Sequence, residues 1–151
     1  MDESKQVFIG TDCGATMSKV GGVWADGTTI STKLHQRPTN AAQGREAVVA
    51  GWVDAVGEYL AQNGIGWEQV SSVGLAIPGP YLRYGVLGHS ANMPASFEGW
   101  DFYSDYSRAL AKKSTRFPIC GNRTTIWAAS SEARLRRAQL IAGGWDPLWV
   151  P

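Results

Sequence analysis

A glycine-rich polar segment near the start of the chain carries the residue types that phosphate and Mg²⁺ require. The segment GTDCGATMSK, 10–19, combines the carboxylate of Asp12 with the hydroxyl of Thr16 and the ammonium group of Lys19. Backbone N–H groups in a tight turn can form a concave phosphate site, and a glycine such as Gly14 lets the ligand come close. A carboxylate at a strand end can hold Mg²⁺ through water. The spacing predicts a phosphate and Mg²⁺ site; an ordinary glycine-rich hairpin with a solvated Asp and Lys is the alternative.

Apolar runs and turn signals predict the strands that position this segment. The apolar run 7–9 predicts a buried strand, and 19–24 predicts its hairpin partner. The pair Asp26-Gly27 is a two-residue turn signal. The β-branched stretch 28–36 then predicts a third strand. We therefore expect an antiparallel meander that carries the polar turn between its first two strands.

The following residues predict helices and further strands. Helical spacing predicts a helix over 41–63, with Asn40 as its cap and Gly64 as its end. The apolar positions that define this helix are Val48, Val49, Trp52, Val53, Val56, Tyr59 and Leu60. Later come a predicted strand over 73–77, a long loop over 81–100, a helix over 102–113 and a strand over 117–120. The order β-β-β-α-β-α-β predicts an α/β fold in which a mixed sheet is flanked by helices.

Composition narrows the class of protein. The chain has 151 residues, of which 44% are hydrophobic, and a net charge of +1, so its overall charge favours neither nucleic acid nor membrane partners. It has no stretch near the ~20 apolar residues of a membrane span, and its acidic start, MDESKQ, is unlike a signal peptide. Cys13 and Cys120 have no metal-ligand spacing, which favours two reduced thiols and a cytoplasmic location.

Two motifs together carry a family resemblance. The Asp-x-Gly-x-Thr pattern at 12–16 resembles the first phosphate motif of the actin, hexokinase and heat-shock ATPase superfamily. Residues 74–94, GLAIPGPYLRYGVLGHSANMP, resemble the ROK family, which has Gly-x-x-x-Pro-Gly-Pro and then Asn-Leu-Pro, the latter present here as Asn-Met-Pro. FEGWDF and FPICGN continue the likeness, which covers about residues 6 to 122. The paired motifs are much more specific than either alone.

The resemblance implies a fold, cofactors and phosphate ligands. ROK proteins include ATP-dependent sugar kinases and sugar-responsive repressors; their N-terminal domain is ribonuclease-H-like, and ATP and sugar bind in the cleft against a second domain. On this chain, Asp12, Gly14 and Thr16 are the implied residues at the ATP phosphate and Mg²⁺ end. Lys19 matches less closely, because many members carry Lys directly after the Thr, where this chain has Met17.

The resemblance also implies sugar ligands. Gly79, Asn92 and Asn122 are the implied sugar-binding residues, and the Asn92 amide can both donate to and accept from hydroxyl groups. The alternatives are that the Pro-Gly-Pro segment at 78–80 is only a turn and that Asn92 is only a loop cap. His89 lies in the same loop, but the sugar-contacting His of the family comes from the other domain, so we expect His89 to face solvent.

The chain departs from the family at residue 123. Asn122 should be followed by the catalytic Asp, which accepts the proton of the attacking sugar hydroxyl. Arg123 stands there instead, and a guanidinium cannot accept that proton. The residues after Asn122 also do not resemble the second domain, its second phosphate motif or its His/Cys zinc-binding cluster. We therefore divide the chain into a ROK-type domain over 1–122 and a non-family tail over 123–151.

A shifted reading frame offers an explanation of the tail. Codons for RTTIWAA, 123–129, read two nucleotides later, can encode Asp-Asp-Asn-Leu-Gly-Gly. This restores the Asn-Asp-x-Asn segment followed by glycines that ROK kinases carry. The hypothesis is that 123–151 is an out-of-frame reading of a longer kinase gene; a genuine short protein with an unrelated tail is the alternative.

The sequence thus predicts the N-terminal part of an ATP-dependent hexose kinase, inactive as this chain stands, with the second domain absent. Its expected cofactors are ATP and Mg²⁺ and its expected partner is a sugar, without nucleic acid or membrane; the full-length family protein would be a homo-oligomer. One alternative is a non-catalytic sugar- or nucleotide-binding module. Another is a sugar-responsive ROK regulator. ROK repressors carry an N-terminal helix-turn-helix, and the roughly six residues before the first strand here count against this alternative.

Overall fold

Two sheets and two helices make up the part of the chain that the computed structural model describes, residues 6–114. The strands are β1 (Val7–Cys13), β2 (Met17–Trp24), β3 (His35–Pro38), β4 (Val70–Ala76), β5 (Tyr81–Arg83) and β6 (Val86–Leu87). The helices are α1 (Arg45–Gln62) and α2 (Phe102–Ala111), and single 3₁₀ turns occur at Ala41–Gln43, Trp67–Gln69 and Ala95–Phe97. The predicted strand over 117–120 and the whole tail lie outside the described residues.

The larger sheet is mixed, as the sequence predicts. Its order is β3-β2-β1-β4. The β1–β2 and β2–β3 pairs are antiparallel, whereas β4 lies parallel to β1. Parallel neighbours need a crossover connection, and here that connection contains β2, β3 and α1. The carboxyl ends of β1 and β4 consequently meet at one edge of the sheet.

One face of this sheet packs on the helices. Along β1, Val7, Ile9, Thr11 and Cys13 are buried, and the residues between them point to the opposite face. All seven apolar positions that define the predicted helix are buried in α1. The Trp52 ring stacks on Trp100 at 5.6 Å and meets Tyr106 edge-on at 5.7 Å, which joins α1 to α2.

The third strand is shorter than the sequence predicts. Instead of 28–36, only His35–Pro38 is a strand; before it, one isolated bridge joins Val23 to Thr29. The Asp26 carboxylate accepts hydrogen bonds from the N–H and the hydroxyl of Thr28, at 2.8 and 2.7 Å, and holds the chain in a turn. Residues 28–30 still pair with the end of β2, because the Trp24 N–H donates to the Thr28 carbonyl at 2.8 Å and the Ile30 N–H donates to the Gly22 carbonyl at 3.1 Å. The pairing stops after Ile30 and resumes only at His35.

The start of α1 also differs from the prediction. Asn40 makes no side-chain cap hydrogen bond; it precedes the 3₁₀ turn, and α1 begins after Gly44, whose φ is +94°. The predicted cap is wrong: Asn40 adopts a left-handed φ of 55°, whereas a capping side chain usually comes from an extended residue. The end of α1 is as predicted: Gly64 adopts a φ of +66°, which favours glycine.

The segment 81–100, predicted as a long loop, contains structure. It forms the β5–β6 hairpin and a 3₁₀ turn, because Val86 and Leu87 are buried and pair back on Tyr81 and Arg83. The next helix, α2, confirms the predicted helix over 102–113 apart from its last two residues, and the Asp101 carboxylate caps it by accepting from the Ser104 N–H at 2.9 Å. Over 6–114, no helix has the length and apolar character needed to cross a membrane.

Candidate functional site

The predicted phosphate turn is present and is tighter than expected. The sequence predicts a turn over 10–19, but β1 continues to Cys13 and β2 begins at Met17, so only 14–16 lie outside the strands. The Gly14 N–H donates to the Met17 carbonyl at 3.0 Å and closes the turn. A turn this short holds its backbone groups in a defined orientation.

Asp12 and Lys19 lie side by side on the strands that flank this turn. They are direct cross-strand partners, which places their Cβ atoms about 4.5–5.5 Å apart. Both point to the face of the sheet opposite the helices, where Asp12 is half-buried and Lys19 is exposed. Thr16 is exposed in the turn itself. The structure therefore brings all four predicted phosphate ligands, Gly14 included, to one end of the hairpin.

The neighbouring parallel strand adds Gly79 to the same edge. In the β1–β4 register Asp12 pairs with Ala76, the last residue of β4, and Gly79 follows three residues later. Open sheets with parallel strands bind ligands outside the carboxyl ends of those strands. The predicted phosphate residues and Gly79, one of the predicted sugar residues, thus lie at the edge where a ligand is expected.

Close packing explains the glycine at position 79. A Cβ there would lie 3.0 Å from the Tyr81 ring. That ring cannot move freely, because its hydroxyl donates to the Ile77 carbonyl and its face packs near Phe102, with ring centroids 6.1 Å apart. The following peptide bond, to Pro80, is cis. Gly79 therefore exposes backbone in a turn that has no room for a side chain.

Asn92 lies on an exposed turn that is fixed at both ends. The next residue, Met93, is buried and its N–H donates to the Ser90 carbonyl at 3.1 Å. Further along the loop, the Arg45 guanidinium donates to the Ser96 carbonyl and lies 6.0 Å from the Phe97 ring centroid. The Asn92 side chain is thus presented to solvent by an anchored loop.

The turn that carries Asn92 is also tied to the Pro-Gly-Pro segment. The Gly88 N–H donates to the Pro80 carbonyl at 2.8 Å. His89, one residue later, has an exposed side chain, 69% accessible, with Nδ1 3.4 Å from Glu98. The expectation that His89 faces solvent is confirmed. Asn122 and Arg123 lie outside the described residues, so their roles stay predictions.

One residue that contacts the turn is not among those that the sequence predicts. Thr39, directly after β3, is only 1% exposed. Its hydroxyl donates to the Gly14 carbonyl at 2.7 Å and lies 3.1 Å from the Ser18 hydroxyl, while its N–H donates to the Thr16 carbonyl at 2.9 Å. In the sequence, Pro38-Thr39-Asn40 indicates only the end of a strand.

The thiol beside the turn is not a nucleophile. Cys13 is completely buried and free of any disulfide. Burial raises the pKa of the Cys13 thiol well above its ordinary value, and a hydrogen bond with Ser18 opposes this only in part. Burial likewise raises the pKa of Tyr106, which packs beneath the same strand. Both groups are neutral at physiological pH. The charged side chains of the site, Asp12 and Lys19, lie on the opposite face of the sheet.

The donor set fits a magnesium–phosphate ligand. Mg²⁺ usually keeps several waters and is held by one or two carboxylates together with substrate phosphates. Asp12 supplies one carboxylate, Thr16 a hydroxyl, Lys19 a positive charge and the turn its backbone N–H groups. These groups could hold Mg²⁺ through Asp12 and phosphate oxygens through the rest.

Comparisons with known proteins support the predicted fold. No protein-family model matches the sequence, and no protein of curated function does. Among solved structures, the chain is similar to an inorganic polyphosphate/ATP-glucomannokinase from Arthrobacter sp. strain KM, with 23% identity, a TM-score of 0.61, and coverage of 95% of this chain and 51% of that one. A ROK hexokinase from Thermus thermophilus gives 21% identity, a TM-score of 0.61, and coverage of 89% and 39%.

A third sugar kinase has the same relation to the chain. The glucokinase from Parabacteroides distasonis shares 18% identity with a TM-score of 0.56, over 85% of this chain and 32% of that one. The chain thus spans about half, or less, of each matched kinase. At these identities the likeness establishes the fold alone: a mixed sheet with flanking helices, as in the matched kinases. The fold expected from the ROK resemblance is confirmed.

Proposed function

We propose that this chain is the N-terminal part of an ATP-dependent sugar kinase of the ROK type. One observation carries the proposal: Asp12, the turn at 14–16 and Gly79 converge at the carboxyl ends of β1 and β4. The fold shared with three sugar kinases supports it. If the turn were only an ordinary glycine-rich hairpin, there would be no reason for the Pro-Gly-Pro motif at 78–80 to lie at the same edge of the sheet.

Each phosphate ligand has a role that follows from its chemistry. Asp12 would hold Mg²⁺ through water, and the Thr16 hydroxyl and the N–H groups of the turn would donate to phosphate oxygens. Lys19, beside Asp12, would offset the negative charge of the phosphates. When bound, ATP supplies the phosphoryl group that is transferred to a sugar hydroxyl.

The proposed sugar contacts come from the second motif. Asn92 has an amide that can donate to one hydroxyl and accept from another. Gly79 would contact the sugar through its backbone, since the Tyr81 ring leaves no room for a side chain there. Asn122 is the third proposed contact. These groups suit a hexose, and the proposed enzyme would act in cytoplasmic carbohydrate metabolism.

Catalysis requires a base that this chain does not have at the corresponding position. The resemblance places a carboxylate after Asn122, where Arg123 stands. We therefore propose that the chain binds ligand but does not transfer phosphate. A coupled assay for ADP release with ATP and a panel of hexoses tests this; sugar-dependent release by the purified chain would refute the inactivity.

Resequencing the coding DNA across 117–129 and beyond the stop codon tests the origin of the tail. An open frame two nucleotides away that encodes Asn-Asp-x-Asn and a second domain would support a shifted frame. Stops in that frame would make the tail genuine, and a sugar- or nucleotide-binding module would then be the better description.

Calorimetry with MgADP on the whole chain tests the phosphate site. We expect Asp12→Asn to weaken binding at least about tenfold, because one charge-assisted contact is worth ~1.5–3 kcal/mol. Asp26→Asn, in the turn at the opposite end of β2, is the matched control and should bind as the wild type does. Equal effects of the two variants would contradict the phosphate site. The absence of saturable binding by a chain whose melting curve shows that it is folded would also contradict it.

A further inference from the structure

Thr39 makes two hydrogen bonds to the phosphate turn, one through its side-chain hydroxyl and one through its backbone N–H. Its hydroxyl donates to the Gly14 carbonyl at 2.7 Å, and its N–H donates to the Thr16 carbonyl at 2.9 Å. Thr39 belongs to a different strand segment, 25 residues from Gly14 along the chain. The turn is therefore fixed from outside its own hairpin.

These two hydrogen bonds determine where the turn directs its N–H groups. In a trans peptide the C=O and the following N–H point in opposite directions. Holding the Gly14 carbonyl towards Thr39 thus points the Ala15 N–H away from it. The Thr16 carbonyl, held in the same way, points the Met17 N–H away from β3.

We propose that Thr39 is a positioning residue for phosphate binding: it holds the carbonyls of Gly14 and Thr16 on the β3 side so that the turn presents its N–H groups to phosphate. This inference rests on the proposed function, in which the turn binds ATP phosphates. Thr39 itself is 1% exposed and does not reach the ligand.

A buried neighbour keeps the Thr39 hydroxyl in place. The Ser18 hydroxyl lies 3.1 Å from it, and both groups are buried. The Thr39 hydrogen is used in the bond to Gly14, so Ser18 donates to the Thr39 oxygen. This arrangement fixes the χ1 rotamer of Thr39 and requires a hydroxyl, which Ser can supply but Val cannot.

The strand that precedes Thr39, β3, is itself fixed to α1. His35 Nε2 lies 2.7 Å from Glu58 Oε2, and the Arg37 guanidinium donates to the other oxygen of the same carboxylate. Arg37 also lies 3.7 Å from Asp54. These contacts hold the four-residue edge strand β3 against α1 and so fix the position of Thr39, which follows it.

Three variants of the whole chain test the proposal. Thr39→Val removes the hydroxyl at nearly constant volume, Thr39→Ser restores it, and Thr29→Val is the matched control at an exposed threonine beyond the other end of β2. Loss of one positioning hydrogen bond predicts about a three- to tenfold weaker MgADP affinity for Thr39→Val. Thr39→Ser and Thr29→Val should bind within about twofold of the wild type. Affinities are measured by calorimetry well below the melting temperature of each variant.

The amide NMR spectrum without ligand supplies a readout that stability alone does not change. We expect the Ala15 amide resonance to shift and its hydrogen exchange to accelerate in Thr39→Val but not in Thr39→Ser, while Gly10, in the middle of β1, stays unchanged. An Ala15 amide that is unaffected in Thr39→Val would overturn the proposal, as would a Thr39→Ser variant that behaves like Thr39→Val. If the wild type does not bind MgADP, the proposed function fails, and the amide data still decide whether Thr39 orients the turn.

Discussion

Adding one methyl group at Gly14 should disturb the phosphate turn, whereas adding it at Gly10 should not. A Cβ built at Gly14 lies 3.0 Å from the Met17 carbonyl oxygen, and one built at Gly10 has no heavy atom within 4 Å. Both glycines lie on the same hairpin, four residues apart, and neither has a positive φ. The pair therefore separates the local contact from any general effect of replacing glycine.

The cost at Gly14 follows from the short contact. Carbon–oxygen distances in close C–H···O contacts are about 3.3–3.6 Å, so the added methyl is a few tenths of an ångström too near. The Met17 oxygen cannot easily retreat, because it accepts the Gly14 N–H at 3.0 Å and Met17 is paired with Pro38 of β3. Overpacking of this kind costs ~1–3 kcal/mol. At Gly10 the lower entropy of the unfolded chain should stabilise by ~0.4–1 kcal/mol.

Thermal melts of Gly14→Ala and Gly10→Ala, followed by circular dichroism, measure the difference. The two free energies of unfolding should differ by ~1.4–4 kcal/mol, which corresponds to roughly 3–16 °C in melting temperature for a chain of this size. Gly14→Ala should melt below the wild type, and Gly10→Ala at or above it. Equal melting temperatures, or a more stable Gly14→Ala, would refute the steric argument.

Further predictions concern three other side chains. In a variant whose other cysteine is serine, Cys13 should react with a thiol reagent no faster than the chain unfolds, since the thiol is fully buried and its pKa is raised; immediate labelling of the folded chain would contradict this. Burial works to raise the pKa of Glu58, but its hydrogen bond with His35 and the charge of Arg37 lower it below the ordinary value of 4.5. The interaction therefore stabilises the folded chain above about pH 4.5, and this contribution is lost as the pH falls through the lowered pKa. In urea unfolding experiments, Glu58→Gln should be less stable than the wild type by up to ~1 kcal/mol at pH 7, and the difference should disappear in strong acid. Tyr106→Phe should leave the free energy of unfolding within about 1 kcal/mol of the wild type or raise it, because among the described residues the buried hydroxyl has no hydrogen-bond partner of ordinary geometry. A loss above about 2 kcal/mol would show that the hydroxyl makes a stabilising hydrogen bond.

Local signals in the sequence are sufficient to predict the elements that bury one regular face. The spacing of Val48, Trp52 and Tyr59 predicts α1 because every third or fourth residue of a helix shares one face. Gly64 marks the end of α1 because a left-handed residue is needed there. The same signals fail at 31–34: the stretch 28–36 predicts one strand, but pairing with β2 stops after Ile30 and resumes only at His35.

Long-range pairing decided the elements that periodicity missed. The β5–β6 hairpin is only three residues against two, and it forms because Val86 and Leu87 are buried beside residues 97–102. So short a hairpin is marginal without such packing. A segment rich in Gly, Pro and Ser therefore has the composition of a loop even though its neighbours fold it into strands.

Residue types and their spacing are enough to predict the chemical groups of the candidate site: a carboxylate, a glycine and a hydroxyl at 12–16, and the Pro-Gly-Pro segment at 78–80. How these groups meet depends on contacts between distant parts of the chain. The register sets Asp12 opposite Lys19 on one side and Ala76 on the other, and Thr39, directly after β3, donates a hydrogen bond to the turn. These contacts join residues 7 to 64 positions apart, and hydrogen bonds and packing over such separations leave no periodic trace in the chain.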